Sequence, residues 1–257
     1  MQHKNYEVTG NVFKLIAVVT MLVDHIAVGI VLSWLEQPEV FYSPSYSSYV
    51  DMYHVMRNIG RMAFPIYCFM LVEGYFHTRN LKKYGLRLLQ IAIISEIPFD
   101  LALRNGQLDI SSNNVLWELL LGLIVIAVMD RVLHFSGGIF DNEIFKRVIM
   151  VAIMFLGMGI AYVTKLDYRH SGIACISVMY FLYGNTKESR MTGFGLGVLM
   201  LTFMSSRSEL FAAAMLIPMY FYDGNKGSDS LLLRKFFYLF YPLHLTIIYL
   251  IKIFFMR

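Results

Sequence analysis

Long apolar segments, separated by short polar stretches, run along nearly the whole chain and constrain its fold more than any other feature. A helix needs about 20 apolar residues to cross the roughly 30 Å hydrocarbon core of a bilayer. Most of these segments are longer and more continuous than the roughly ten-residue alternating strands of a membrane barrel. The apolar segments are residues 11–35, 56–76, 84–103, 114–134, 145–164, 171–184, 191–205, 209–222 and 235–256.

The apolar excess predicts an all-α protein, a polytopic transmembrane helix bundle in contact with membrane lipid. Hydrophobic residues make up 57% of the chain and charged residues only 16%, whereas soluble domains are about 25% charged. We expect about nine spans, with a range of about eight to ten because three of the segments are short. The length leaves no room for a sizeable soluble domain, so we interpret residues 1–257 as one domain.

The excess of basic over acidic residues agrees with a membrane protein, because Lys and Arg are enriched in cytoplasmic loops. The net charge is +4, and with a cytoplasmic N-terminus the inner loops carry about twice as many Lys and Arg residues as the outer ones. No basic patch interleaved with aromatic residues indicates nucleic-acid binding. Cys68 and Cys175 lie in apolar segments without metal-ligand spacing, so we expect packing roles for them and no metal.

Ionisable residues inside the predicted spans are the strongest functional signal. A charge at the centre of a span costs about 2.5–3.5 kcal/mol on insertion scales, so such groups usually face a bundle interior or a polar cavity. So many of them predict a network around such a cavity. They are Asp24, His25, Arg61, Glu73, Glu96, Asp100, Glu118 and His244.

Helical spacing suggests how some of these charges are arranged. Residues four apart share a face, so Arg57 and Arg61 form a cationic stripe, and Glu96 and Asp100 form an anionic one with Pro98 between them. With the N-terminus inside, these residues and the Asp24–His25 pair are expected to converge in the outer half of the membrane.

Asp24 and His25 are adjacent, so their side chains point about 100° apart on a helix. We expect Asp24 to pair with a cation on another helix, with Arg61 the leading candidate. His25 would then be available as a general base. The alternative is a hydrogen-bonded packing histidine, and both interpretations stay open for His25 and for His244.

A basic rim is predicted at the cytoplasmic end, where Glu73 and His77 share a helix face. The preference of cationic residues for the cytoplasmic side explains this rim by itself. A second interpretation is a seat for a phosphorylated donor. The cations of the rim are Arg79, Lys82, Lys83 and Arg87.

Several motifs, in order along the chain, resemble those of the TraX family of bacterial membrane proteins. They reach from residue 14 to about residue 250. The segments are residues 14–25 (KLIAVVTMLVDH), 59–65 (IGRMAFP), 72–80 (VEGYFHTRN), 84–88 (YGLRL), 95–100 (SEIPFD) and 237–245 (FYLFYPLHL).

The resemblance implies an acetyltransferase of the bacterial inner membrane. Such an enzyme would move an acetyl group from cytosolic acetyl-CoA to an extracytoplasmic acceptor, which is a peptide amine, a glycan or a small molecule. The implied catalytic residues are His25, Asp24, Arg61 and Glu96. The implied donor-binding residues are Glu73, His77, Arg79, Lys82, Lys83, Arg87 and His244. The implied acceptor-binding residues are Arg57, Asp100 and Glu118.

Two other functions remain open from the sequence. Buried carboxylates and histidines are also used in proton relays, so a proton-coupled transporter is the main alternative. A structural scaffold is a third, and it predicts that the intramembrane charges tolerate neutral substitution. Acceptor-dependent release of CoA distinguishes the enzyme from both.

Overall fold

The computed structural model describes residues 8–104, 106–108, 112–222, 224–228 and 230–255. No β-strand forms within these ranges, where helices dominate and two isolated bridges join Val8 to Tyr222 and Asn113 to Leu166. The all-α prediction is therefore confirmed. The α-helices are α1 (Gly10–Ile26), α2 (Leu32–Leu35), α3 (Pro38–Phe41), α4 (Tyr46–Gly60), α5 (Ala63–His77), α6 (Leu81–Leu103), α7 (Val115–His134), α8 (Glu143–Val163), α9 (Arg169–Phe181), α10 (Lys187–Met204), α11 (Leu216–Tyr220) and α12 (Leu231–Phe255).

Local sequence signals explain where several of these helices begin. The side chain of Asn114 accepts a hydrogen bond from the backbone of Leu116 at the start of α7. Asn142 does the same for the first turn of α8, and Thr186 for that of α10. These side chains satisfy backbone N–H groups that have no partner within the helix, which fixes the helix starts.

The region between residues 36 and 76 differs from the prediction. The expected outer loop contains α3 and most of α4, and the expected span over residues 56–76 is broken at Arg61 and Met62, between α4 and α5. The aromatic residues of α4 explain its formation, since Tyr46, Tyr49 and Tyr53 pack against the apolar cluster centred on Val31, Leu35 and Val40. Arg61 consequently lies just after the end of α4.

Three helical segments are long and apolar enough to cross a membrane among the residues described. They are Gly10–Leu35, Glu143–Val163 and Leu231–Phe254. The first combines α1 and α2 with a π-helical turn, Ala27–Val31, that begins two residues after His25. The count of about nine spans stays a prediction, although each apolar segment that predicted a span is largely helical in the structure.

The chain forms two compact units, and the prediction of one domain over residues 1–257 stays a prediction. Unit 1 comprises Met1–Tyr67, Ile93–Ile110 and Ser208–Arg257, and unit 2 comprises Cys68–Ala92 and Ser111–Arg207.

In unit 1, α1 contacts both α4 and α12. Gly29 follows α1, and a Cβ built on it would lie only 2.5 Å from Ile248 on α12. The missing side chain therefore lets these two segments approach closely, as small residues do between membrane helices.

Helices α7, α8, α9 and α10 pack together in unit 2. Their contacts again use glycine, since a Cβ on Gly157 of α8 would lie 2.5 Å from Val125 of α7. Both cysteines are buried and unoxidised, which agrees with the packing roles expected for them.

Candidate functional site

Two histidines from opposite ends of the sequence meet in unit 1. His25 is in the last turn of α1 and His244 lies midway along α12. Nδ1 of His25 is 2.7 Å from Nε2 of His244, and the ring planes differ by only 7°. His244 is buried, whereas His25 keeps partial exposure. The pair therefore combines one buried ring with one that belongs to a partly exposed residue.

The hydrogen bonds of the pair determine where its protons lie. Nδ1 of His244 is 2.7 Å from the carbonyl oxygen of Phe240, and a carbonyl only accepts, so this nitrogen carries a proton. In the neutral ring Nε2 of His244 is then an acceptor, and Nδ1 of His25 donates to it. The lone pair of His25 consequently lies on Nε2, and no described residue hydrogen-bonds to that nitrogen.

This arrangement makes Nε2 of His25 a proton acceptor, while the other nitrogen of the same ring, Nδ1, is hydrogen-bonded to the ring of His244. When Nε2 takes up a proton, the proton between the two rings can pass to His244. The positive charge is then shared by two imidazoles, one of which already donates to a backbone carbonyl. Such a hydrogen-bonded chain holds a general base in one tautomer and orientation.

Asp24 forms an ion pair on a different side of α1. Its Oδ2 lies 2.5 Å from Nη1 of Arg57 on α4. The expectation that Asp24 and His25 engage different neighbours is confirmed. The expected Arg61 partner is wrong, because Arg57 lies one turn earlier on α4, level with Asp24, while Arg61 follows the last turn of that helix.

Gly60 explains how α4 comes so close to Asp24. A Cβ at this position would collide with Oδ1, Cγ and Cβ of the aspartate. Oδ1 is buried and has no hydrogen-bond partner in the described part of the chain. The glycine in the IGRMAFP motif thus provides the space in which the Asp24 carboxylate packs against the backbone of α4.

Arg61 pairs with a residue that the sequence interpretation missed. Its Nη1 lies 2.9 Å from Oε1 of Glu209, whose side chain is completely buried. Glu209 belongs to a 3₁₀ segment, Arg207–Met215. It stood at the edge of a predicted span and so was not counted among the intramembrane charges. No local pattern signals this pair, because Arg61 and Glu209 are 148 residues apart in the chain.

Glu96 and Asp100 both lie on α6, in the part of that helix that belongs to unit 1. Asp100 is buried and Glu96 is partly buried. The helix continues through Pro98 without a break. Their assignments, Glu96 to catalysis and Asp100 to the acceptor, stay predictions.

The predicted donor-binding residues other than His244 belong to unit 2. His77 at the end of α5 donates a hydrogen bond of 2.8 Å to the backbone carbonyl of Glu73, which is itself buried. The four cations of the basic rim are exposed, as a seat for a soluble anion requires. His244 belongs to unit 1, where it contacts His25, and its assignment to the donor stays a prediction. The sequence predicts a charged cluster in the outer half of the membrane and a basic rim at its cytoplasmic end. This arrangement stays a prediction.

Glu118 also lies in unit 2, completely buried in the first turn of α7. A Cβ on Gly172 of α9 would lie 2.6 Å from its Oε1, so the carboxylate packs against the first turn of α9. A negative group at a helix N-terminus is stabilised by the helix dipole. This position gives Glu118 a structural role, and its predicted role toward the acceptor stays untested.

Comparisons with known proteins cover nearly the whole chain. The family model described as TraX protein matches residues 9–252. The chain is 27% identical over 274 residues to "Probable fimbrial assembly protein FimC, serogroup H1" of Dichelobacter nodosus, and the alignment covers 98% of each chain. No solved structure matches the chain.

Proposed function

Because the chain belongs to the TraX family, we propose that it is a membrane enzyme that acetylates a pilus or fimbrial subunit. The similarity to a fimbrial assembly protein over nearly the full length supports this acceptor class. The proposed donor is cytosolic acetyl-CoA, and the proposed acceptor group is an extracytoplasmic amine or hydroxyl. The protein would reside in the bacterial inner membrane with a cytoplasmic N-terminus.

The observation that carries this proposal is the hydrogen-bonded pair His25–His244. Acyl transfer to an amine or hydroxyl needs a group that removes a proton from the attacking atom. Nε2 of His25 has its lone pair available, and the chain from His25 through His244 to the carbonyl of Phe240 holds that tautomer. A hydrogen-bonded histidine pair also serves proton relays in transporters, so acceptor-dependent release of CoA is the observation that distinguishes the two functions.

The reaction follows from that base. Nε2 of His25 takes the proton as the acceptor nitrogen or oxygen bonds to the thioester carbonyl carbon. The carbon–sulfur bond then breaks, the acetyl group stays on the acceptor, and CoA leaves with its thiol sulfur. The proton held by the histidine pair passes to that sulfur. The products are the acetylated acceptor and free CoA.

The two ion pairs are proposed to position the base and stabilise the developing oxyanion. Asp24 and Arg57 join α1 to α4, and Arg61 and Glu209 join the end of α4 to the 3₁₀ segment. Arg57 is bound to Asp24, the residue next to His25 in the chain. A fixed cation near the reacting carbonyl lowers the barrier because it is already in place when charge develops.

The test is CoA release by the purified protein in detergent, with acetyl-CoA and a peptide from the N-terminus of a pilus subunit. His25→Ala is expected to lower turnover by about 100-fold or more, the usual contribution of a general base. His54→Ala is the matched control, since His54 is an exposed histidine of unit 1. Unchanged turnover in His25→Ala would refute the role of His25. Acceptor-independent solute flux in proteoliposomes, without CoA release, would favour the transporter.

A further inference from the structure

A cavity in unit 2 is lined by none of the residues used in the proposed chemistry. Its volume is about 390 Å³, within the range of small-molecule sites. It lies where α5 ends and α6 begins, beside the last turn of α7. Its lining combines aromatic rings with polar groups. The lining residues are Tyr75, Phe76, Thr78, Leu81, Asp130 and His134.

The aromatic side of the cavity continues beyond its lining. Phe76 stacks on Tyr183 with ring centroids 4.3 Å apart and planes 5° apart, and on Tyr180 at 5.7 Å. Phe76 nevertheless remains 44% exposed. A flat, partly open aromatic surface of this kind is suited to a planar ring, because aromatic stacking on a nucleobase contributes about 1–3 kcal/mol.

The polar side of the cavity is centred on Asp130. Its Oδ1 accepts a hydrogen bond of 3.0 Å from the hydroxyl of Tyr180 and lies 3.5 Å from Nδ1 of His134. An ionised carboxylate has several acceptor positions and no donor. It therefore favours a ligand with an N–H donor, such as the exocyclic amine of adenine, guanine or cytosine, and the Tyr180 hydroxyl holds the carboxylate in position.

Positive charge lies at the rim of the cavity. Arg79 directly follows the lining residue Thr78, and Lys82 directly follows the lining residue Leu81. Neighbouring Cα atoms are about 3.8 Å apart, so the backbones of both cations lie next to residues that line the cavity. Both side chains are exposed, and arginine and lysine are the usual partners of phosphate groups.

We propose that this cavity binds the adenine nucleotide end of coenzyme A. The base lies against Phe76, its amine donates to Asp130, and the phosphates contact Arg79 and Lys82. The choice of coenzyme A as the nucleotide rests on the proposed function. The aromatic surface, the acceptor and the nearby cations favour a nucleotide whose base carries an amine, and the choice of adenine follows from coenzyme A.

The experiment measures binding of adenosine 3′,5′-bisphosphate to the full chain in detergent by equilibrium dialysis. Leu81→Trp fills the cavity and Arg79→Ser removes a rim cation, and each is expected to weaken binding on the order of tenfold or more. The controls make the same changes elsewhere in unit 2. Leu86→Trp is on the exposed side of α6 and Arg147→Ser is exposed on α8, and both should bind like the wild type. Thermal unfolding of each variant checks that it is folded.

The outcomes separate this proposal from the proposed function. Binding that is weakened in Leu81→Trp and Arg79→Ser, and kept in His25→Ala, supports the cavity whether or not transfer occurs. Equal binding by all variants would overturn it. No binding by a wild-type protein that does transfer acetyl groups would overturn the cavity alone, and a wild-type protein that does neither would overturn both.

Discussion

Nδ1 of His25 lies 2.7 Å from Nε2 of His244, so two residues separated by most of the chain share one proton. The bond depends on the α12 backbone as well, because the carbonyl of Phe240 holds the proton on Nδ1 of His244. The orientation of the proposed base is therefore set by a helix that contributes no group to the reacting atoms. That dependence is the basis of the first prediction.

Replacement of His244 is expected to lower turnover while it leaves substrate binding nearly unchanged. His244→Ala removes the acceptor for Nδ1 of His25, so the tautomer is no longer fixed. We expect a fall in kcat of about 10- to 100-fold, less than for His25→Ala because the base itself remains. KM for acetyl-CoA should change little. Steady-state kinetics of CoA release measures both constants.

His244→Gln is the informative companion to His244→Ala. The amide oxygen of glutamine can accept the proton of Nδ1 but cannot take it over, so kcat should recover in part. Equal activity of the alanine and glutamine variants would contradict a role in fixing the tautomer. A large rise in KM with unchanged kcat would instead support the earlier assignment of His244 to donor binding.

Substitutions of Asp24 and Arg57 are expected to have strongly non-additive effects on the free energy of unfolding. Each side chain is only 20–25% exposed, so Asp24→Asn or Arg57→Gln leaves a partly buried charge without its partner. Either single change should lower the free energy of unfolding by about 1–2 kcal/mol, discounted for this exposure. The double variant should lose less than the sum of the singles. Denaturation of the four proteins in the same detergent gives the coupling energy.

The control combines Asp24→Asn with a substitution in the other ion pair and asks whether their effects on stability add. Asp24→Asn combined with Glu209→Gln should be closer to additive than Asp24→Asn with Arg57→Gln, because the two carboxylates contact different arginines. A coupling of Asp24 to Arg61 that exceeds its coupling to Arg57 would contradict the observed pairing and support the one expected from the sequence.

Gly60→Ala is expected to destabilise unit 1. The added methyl group would occupy the position of the Asp24 carboxyl group and Cβ, and neither helix backbone can move away without loss of the ion pair. Overpacking of this kind costs about 1–3 kcal/mol. The same change at Gly159 of α8, where a Cβ meets nothing within 4 Å, should be neutral or slightly stabilising. Thermal unfolding of both variants in detergent is the measurement, and equal stability would contradict the close contact.

Sequence patterns predicted the helical class and the divergence of Asp24 and His25, because both depend on local geometry within one segment. They did not predict which arginine meets Asp24. Spacing within a helix places Arg57 and Arg61 on one face, but it does not fix the height of α4 against α1. The end of α4 at Gly60 decides that height, and it depends on packing with neighbours far away in sequence.

The sequence did not predict the hydrogen bond between His25 and His244, for the same reason. Each histidine was identified as a possible functional group, but His244 was assigned to the donor. Nothing in the local pattern relates the register of α12 to that of α1. Only the packed structure brings the two rings within hydrogen-bonding distance.

Glu209→Gln is expected to impair both stability and turnover. The substitution keeps the size of the side chain but removes the charge opposite Arg61, which lies 2.9 Å from Oε1. Because Glu209 is completely buried, loss of this partner should cost about 2–4 kcal/mol. Arg61 would also be free to reorient once its partner is neutral. Thermal unfolding and the kcat of CoA release, measured on one preparation, separate the two effects.

Arg61→Gln in the Glu209→Gln background provides the control for this last prediction. With both charges removed, the stability should recover in part, because no uncompensated charge remains buried. Turnover should stay low if Arg61 contributes to the stabilisation of developing charge, and should recover with stability if its role is only structural. A Glu209→Gln variant with wild-type stability and turnover would show that this ion pair contributes to neither.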